Sequence, residues 1–119
     1  MPDLHTESVG LHFRPREVKD FVNETLSPGY PLDLQREPNN AYDSNAIMVL
    51  ADDMHIGYVP KTDNYVLAAL MDQGACNNLR AQVHNFIGKN PQIHIVWDEE
   101  TALSSISEDE AFGSNWGDD

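Results

Sequence analysis

The chain is poor in the residues that stabilise small secreted folds. It has one cysteine, Cys76, so no disulfide can form within it. An isolated thiol is typical of a reducing compartment, and residues 1–20 contain no charged segment followed by an apolar one, as a secretion signal would. No apolar run approaches the roughly 18 residues that a membrane span needs. We therefore expect a cytoplasmic protein with no membrane partner.

Positive charge is also scarce. The 119 residues include 7 basic and 20 acidic ones, which gives a net charge of −13. Eight of the acidic residues and none of the basic ones fall within residues 98–119, so this segment carries −8 and residues 1–97 carry −5. A field of this sign repels phosphate groups. Any binding of nucleic acid must therefore depend on a local site.

Motifs for catalysis and for metal binding are absent from the sequence. It contains no Gly-x-Ser-x-Gly, no phosphate-binding loop and no His-Glu-x-x-His. The spacing of Cys76, His84 and His94 fits no zinc motif, and the segment that begins at Asp43 lacks the glycine and glutamate of a calcium loop. We expect solvent-facing histidines, no metal or other cofactor, and no enzymatic activity.

The apolar periodicity predicts an α+β fold with five to six short strands and two helices. Alternation or short apolar runs predict strands at residues 5–13, 32–36, 46–50, 55–59, 79–86 and 92–97. Helical spacing predicts one helix after Pro15, with the stripe Val18, Phe21, Val22 and Leu26. A second helix is predicted from Pro60 to Gly74, with the stripe Val66, Leu67, Leu70 and Met71. This order is compatible with a small, partly open barrel.

Composition divides the chain into two parts. Residues 1–97 carry the periodic segments and are predicted to form one domain. Residues 98–119 are rich in serine, glycine and acidic residues, and are predicted to be a tail that is disordered until it meets a partner.

The segment LQREPNNAYDSNAIMVL, residues 34–50, connects two predicted strands by an unusually long polar loop. Asparagine and aspartate in such a loop hydrogen-bond to nearby backbone amides and make it rigid. In one interpretation the loop is only a structured connection whose Tyr42 caps the core. In the other, the loop displays Tyr42 as a stacking platform beside Arg36 or Lys61, since an aromatic ring and a cation suit an unpaired base and its phosphate.

Three segments together resemble the HIRAN domain family: VGLHF at residues 9–13, LQREPNNAYDSNAIMV at 34–49 and HIGYVPK at 55–61, followed by the helix NYVLAALMDQG at 64–74. The resemblance extends over about residues 6–97. HIRAN domains occur at the front of helicase-like chromatin remodellers and as stand-alone bacterial and phage proteins. The resemblance implies a small OB-like β-barrel.

The resemblance also implies a binding site. The HIRAN domain of the helicase-like transcription factor captures the 3′-hydroxyl end of single-stranded DNA. By that likeness, Tyr42 would stack on the terminal base and Asp43 would accept a hydrogen bond from the terminal hydroxyl. Tyr58 and Lys61 match the Gly-His/Tyr-x-x-Lys/Arg part of the pocket, where Lys61 would face a phosphate.

Four further residues complete the site that the resemblance implies. His12 and Phe13 occupy the positions of a basic and an aromatic residue in the DNA-binding member. Because a histidine is mostly neutral near pH 7, Arg14 is a candidate to supply the missing charge. Phe86 falls where a second stacking aromatic is expected.

Two functions remain open at this point. The first is a stand-alone, non-catalytic module that binds single-stranded DNA ends. The second is an acidic protein-interaction module of phage type, which would imitate DNA or inhibit a basic nucleic-acid-processing enzyme of a host. Clustered carboxylates favour the second function, whereas Tyr42, Asp43 and Lys61 favour the first.

Overall fold

The structure is a computed structural model that describes residues 2–99. The predicted acidic tail, apart from its first two residues, lies outside this range. The described residues form six strands and two α-helices, with a short 3-10 helix at Leu11–Phe13: β1 Asp3–Glu7, α1 Arg16–Thr25, β2 Pro31–Arg36, β3 Ile47–Ala51, β4 Met54–Tyr58, α2 Lys61–Asp72, β5 Cys76–Ile87 and β6 Asn90–Glu99. The predicted α+β class, with six strands and two helices, is confirmed.

The six strands form one antiparallel sheet that curls into a half-barrel. Their order is β1-β6-β5-β2-β3-β4, so β1 and β4 are the two edges. Just beyond β1, the amide of Val9 donates to the carbonyl of Tyr58 over 2.9 Å, and the amide of Tyr58 donates back to the carbonyl of Val9 over 2.9 Å. This bridge brings the two edges together, as expected for an OB-like barrel.

Gly57 permits this closure between the edges. A Cβ on Gly57 would lie 2.5 Å from the carbonyl oxygen of Val9 and would overlap the hydroxyl of Ser8. The backbone of residues 8–9 can therefore approach β4 only because position 57 has no side chain. The Ser8 hydroxyl is buried in this contact and has no hydrogen-bond partner among the described residues.

The core lies between the inner face of the sheet and the two helices. Its fully buried members alternate along the strands and include Ile47, Val49, Ile56, Val83, Ile93 and Ile95. α1 contributes the predicted residues Val18 and Val22, with Phe21 partly buried, and the predicted Leu26, which caps the end of α1, is buried as well. Neither helix within residues 2–99 combines the length and the hydrophobicity needed to cross a bilayer.

The second helix differs in part from its prediction. Val66 is 51% exposed, so its assignment to the buried stripe was wrong; the buried residues of α2 are Asn64, Leu67 and Ala68. The helix ends at Asp72 with Gln73 as its C-cap, one residue before the predicted cap Gly74, whose φ is 71°. The amide of Gly74 donates to the carbonyl of Met71 and that of Ala75 to the carbonyl of Leu70, the pair of bonds of a Schellman motif.

The first strand lies earlier in the chain than predicted. It ends at Glu7, and Leu11–Phe13 form a 3-10 turn in which Leu11 is buried and Phe13 is 79% exposed. Gly10 has a φ of 90°, a left-handed conformation that ends extended structure. The apolar alternation at residues 9–13 therefore predicted a strand that does not form, because the chain turns at Gly10.

Candidate functional site

A cavity of about 450 Å³ lies beside the contact between Val9 and Tyr58. Its walls come from the long polar loop, the end of β4 and the first turn of α2: Val9, Asn40, Tyr42, Asp43, Ala46, Tyr58, Val59, Pro60, Lys61 and Asn64. Four of the residues predicted from the sequence, Tyr42, Asp43, Tyr58 and Lys61, are therefore brought together around one cavity.

Asn40 fixes the backbone of the loop. Its Oδ1 accepts hydrogen bonds from the amide of Tyr42 over 2.9 Å and from the amide of Asp43 over 3.1 Å. Its Nδ2 donates to Glu37 Oε1 over 3.0 Å, and Asp43 Oδ1 accepts from the amide of Asn45 over 2.9 Å. These bonds provide partners for backbone amides that pair with no neighbouring strand. They make the loop rigid despite its length.

Tyr42 is displayed on the surface by this rigid loop. Its side chain is 91% exposed, so the interpretation in which Tyr42 caps the core is wrong. The exposed Lys61 lines the same cavity. Arg36 is engaged elsewhere, since its guanidinium donates to both oxygens of Asp72 over 2.9 and 2.8 Å and to the carbonyl of Ala46 over 2.9 Å. Of the two candidate cations, Lys61 is therefore the one that lines the cavity with Tyr42.

Asp43 is held as an ionised carboxylate. Its Oδ2 accepts a hydrogen bond from Nδ2 of Asn64, a residue that is only 2% exposed, over 2.8 Å. This bond, the amide of Asn45 and the charges of Lys61 and Arg36 lower the pKa of Asp43 below its usual value. A carboxylate has about four lone-pair directions, and two are occupied. Asp43 can therefore accept further hydrogen bonds from a ligand.

Tyr58 is oriented by the loop. Its hydroxyl donates to Glu37 Oε1 over 2.8 Å, and its ring lies perpendicular to the His55 ring, with the ring centroids 4.7 Å apart. Burial and then the Glu37 hydrogen bond raise the pKa of Tyr58, while the bonds from Asn40 and Tyr58 lower the pKa of Glu37. The phenol consequently remains protonated and its ring forms a fixed wall of the cavity.

The other four predicted residues do not line this cavity. His12 and Phe13 belong to the 3-10 turn, where their rings lie 3.9 Å apart, and His12 borders a separate cavity of about 190 Å³ with Lys19. Arg14 donates from Nε to the carbonyl of His55 over 3.1 Å. Phe86 lies on β5, partly buried against the core. Four of the eight predicted site residues therefore line one cavity, and the other four lie elsewhere on the fold.

Three residues that organise the site were not predicted as part of it. Glu37 and Asn40 lie in the polar loop, and Asn64 lies on α2. The signal for Asn64 was available, because it precedes Leu67 and Ala68 by three and four positions and so shares their buried face. A polar residue on an apolar helix face needs a hydrogen-bond partner, and Asp43 is that partner.

The family model for the HIRAN domain matches residues 2–95. The chain belongs to the HIRAN domain family. Among solved structures, the crystal structure of the human HLTF HIRAN domain is 25% identical, with a TM-score of 0.63 over 80% of this chain and 74% of that one. A Lactobacillus plantarum protein is 26% identical, with a TM-score of 0.63 over 82% of this chain and 100% of that one.

A further solved structure is the HLTF HIRAN domain in its DNA-bound conformation, studied by NMR. It is 25% identical to this chain, with a TM-score of 0.58 over 82% of this chain and 76% of that one. No curated protein matches the chain in sequence. The structural neighbours confirm the predicted OB-like HIRAN fold.

Proposed function

We propose that this chain is a non-catalytic nucleic-acid-binding module that captures the 3′-hydroxyl end of single-stranded DNA. Membership of the HIRAN family and the likeness to a DNA-bound HIRAN conformation support nucleic-acid binding in general. The observation that carries the finer proposal is the adjacent pair Tyr42 and Asp43. Asn40 holds an exposed ring and an ionised carboxylate side by side at the mouth of one cavity.

Each wall of the cavity has a role in this proposal. The ring of Tyr42 stacks on the terminal base, as aromatic side chains do in single-strand binding sites. Asp43 accepts a hydrogen bond from the 3′-hydroxyl through its remaining lone pairs. Lys61 faces a backbone phosphate and offsets part of the charge of the chain. Val9, Val59 and Pro60 provide an apolar surface for the sugar.

The protonation states favour binding over catalysis. A general acid or base works best when its pKa lies near the working pH. The pKa of Asp43 is lowered and that of Tyr58 is raised, so both lie far from neutrality. The two groups therefore suit fixed hydrogen bonds.

The proposal is tested with single strands that differ only at the 3′ end. A 3′-phosphate should weaken binding relative to a 3′-hydroxyl, because a second anion would face the carboxylate of Asp43. Fluorescence anisotropy at low salt measures both dissociation constants with a label placed inside the strand. The matched control moves the phosphate to the 5′ end, which changes the charge equally and should leave affinity unchanged. Equal affinity for the two 3′ ends would remove end capture.

The acidic C-terminal segment should weaken this binding through its charge. Because β6 continues to Glu99, the informative truncation removes residues 100–119, which contain six acidic and no basic residues and whose loss changes the net charge from −13 to −7. The truncated protein should bind single strands more tightly at low salt, and the gain should shrink as salt screens the charges. Identical affinities at every ionic strength would contradict this prediction.

The alternative function, a protein-interaction module, depends on residues 101–119, which lie outside the described residues. The basic partner of this module stays a prediction. The two functions differ in their response to the same truncation. A DNA-end module should bind DNA more tightly at low salt, whereas binding of a basic enzyme through the acidic segment should be lost.

A further inference from the structure

Three strands of the half-barrel place ionisable side chains together on the outer face of the sheet. His5 on β1 and His94 on β6 are directly opposite partners in the antiparallel pairing, and their rings are stacked at 4.2 Å with an angle of 7°. The Oδ2 atom of Asp3 lies 2.9 Å from Nε2 of His94 and 3.6 Å from Nε2 of His5.

We propose that Asp3, His5 and His94 bind one divalent transition-metal ion, with His84 as a fourth ligand. One ligand atom from each of the first three residues lies within 4.8 Å of the other two. Tetrahedral zinc has Zn–N distances of about 2.0–2.1 Å, which places neighbouring ligand atoms roughly 3.3 Å apart. The most distant pair of ligand atoms must therefore approach by up to about 1.5 Å. The stacked rings of His5 and His94 must also rotate, so that their in-plane lone pairs point at one ion, and the exposure of Asp3 and His5 leaves room for this movement.

The donor set selects the class of metal. Two imidazoles and one carboxylate suit zinc, nickel and copper, whereas calcium and magnesium prefer sites made only of oxygen atoms. A site of three protein ligands keeps one coordination position open for water or a further side chain. We therefore expect the site to bind zinc and not to bind magnesium.

A β-bulge supplies the fourth ligand. On β5, Val83 pairs with Ile93 and Asn85 pairs with Gln92, so His84 is the extra residue between two consecutive partners. Bulges redirect a side chain in this way. The ring of His84 meets His5 edge-on at 5.5 Å and lies 6.5 Å from His94. The bulge thus places a third imidazole beside the pair. The ligand atoms within 4.8 Å of one another belong to Asp3, His5 and His94, so the His84 ring must move closer to bind the ion.

The sequence pattern did not reveal this cluster, because its members come from β1, β5 and β6 and have no motif spacing. The cluster is also separate from the proposed DNA site, since none of its four residues lines the cavity at Tyr42. A bound ion would connect β1, an edge strand, to β5 and β6. Because the folded state alone assembles the ligands, zinc should raise the thermal unfolding midpoint.

The test titrates the full chain with zinc by calorimetry and compares four single variants. His5→Gln and His94→Gln should each weaken zinc binding by roughly tenfold or more, since loss of even an outer-shell partner has effects of that order. His84→Gln should weaken it measurably as well; unchanged affinity would remove the fourth ligand from the proposal. His12→Gln is the matched control, because it deletes an exposed imidazole outside the cluster, and it should leave zinc affinity unchanged.

Two further readouts identify the location of the ion. The imidazole NMR signals of His5 and His94 should shift on addition of zinc, and an excess of magnesium should not reverse the shift. Circular dichroism without metal checks that each variant remains folded. Equal zinc affinity in His5→Gln, His94→Gln and His12→Gln, or reversal by magnesium, would assign the binding to the many surface carboxylates and overturn the proposal.

Discussion

Replacing Gly57 with alanine should lower the free energy of unfolding by about 1–3 kcal/mol, the range for overpacked cores. The added methyl group would lie 2.5 Å from the carbonyl oxygen of Val9. That oxygen accepts the amide of Tyr58, so it can move away only if the bridge that closes the half-barrel opens. Urea unfolding followed by circular dichroism measures the change. A Gly57→Ala protein as stable as the unmodified chain would show that the edges do not depend on this close approach.

Ser8 supplies the matched control for this prediction. Its hydroxyl occupies the space next to Gly57 and is buried without a partner among the described residues. A buried, unpaired hydroxyl destabilises the fold by about 1–3 kcal/mol. Ser8→Ala should therefore leave stability unchanged or increase it. The double variant should recover only part of the loss caused by Gly57→Ala, because the contact with the Val9 carbonyl remains.

The effect of Gly57→Ala should extend to the binding site. Val9 and Tyr58 are the two partners of the bridge, and both line the cavity at Tyr42. Opening the bridge would displace both residues and change the shape of the cavity. We expect weaker binding of single strands in the folded fraction of the variant, whereas Ser8→Ala should bind as the unmodified chain does.

Most of the fold could be predicted because one face of nearly every strand is buried. Ile93, Ile95 and Trp97 alternate without interruption, and the structure buries all three. The prediction for α2 was wrong at Val66, because an apolar stripe of two turns is compatible with more than one rotation of the helix. The inward face is the one on which Leu67 and Ala68 pack into the core and Asn64 donates to Asp43. Asp43 lies 21 positions away in the sequence, so no local pattern contains this partner.

The parts of the candidate site that depend on hydrogen bonds between residues close in sequence could be predicted. The asparagines and aspartates of residues 37–45 indicated a rigid loop, and their bonds to neighbouring amides are local ones that a sequence can suggest. The bonds from Asn64 to Asp43 and from Tyr58 to Glu37 each join residues 21 positions apart. They depend on how β4 and α2 pack against the loop, so these contacts required the structure.

Tyr42→Ala should reduce the affinity for single-stranded DNA by about 1–3 kcal/mol, the range measured for loss of a base-stacking aromatic. This loss of affinity should appear without a change in stability. The side chain is 91% exposed, and the loop is held by a hydrogen bond from the backbone amide of residue 42, which the substitution leaves in place. Anisotropy titrations at fixed low salt give the affinities, and urea unfolding gives the stability. A change well below this range in a folded variant would leave Tyr42 as a loop residue with no base to stack on.

Two further variants separate stacking from other effects of the tyrosine. Tyr42→Phe retains the ring and removes the hydroxyl, so it should bind almost as the unmodified chain does if stacking is the main contribution. Tyr65→Ala deletes a tyrosine that is 58% exposed on α2 and does not line the cavity, so it should not change DNA affinity. Equal losses in Tyr42→Ala and Tyr65→Ala would mean that surface aromatics act without a defined site. Loss confined to Tyr42→Ala places the stacking platform at the mouth of the cavity, beside Asp43.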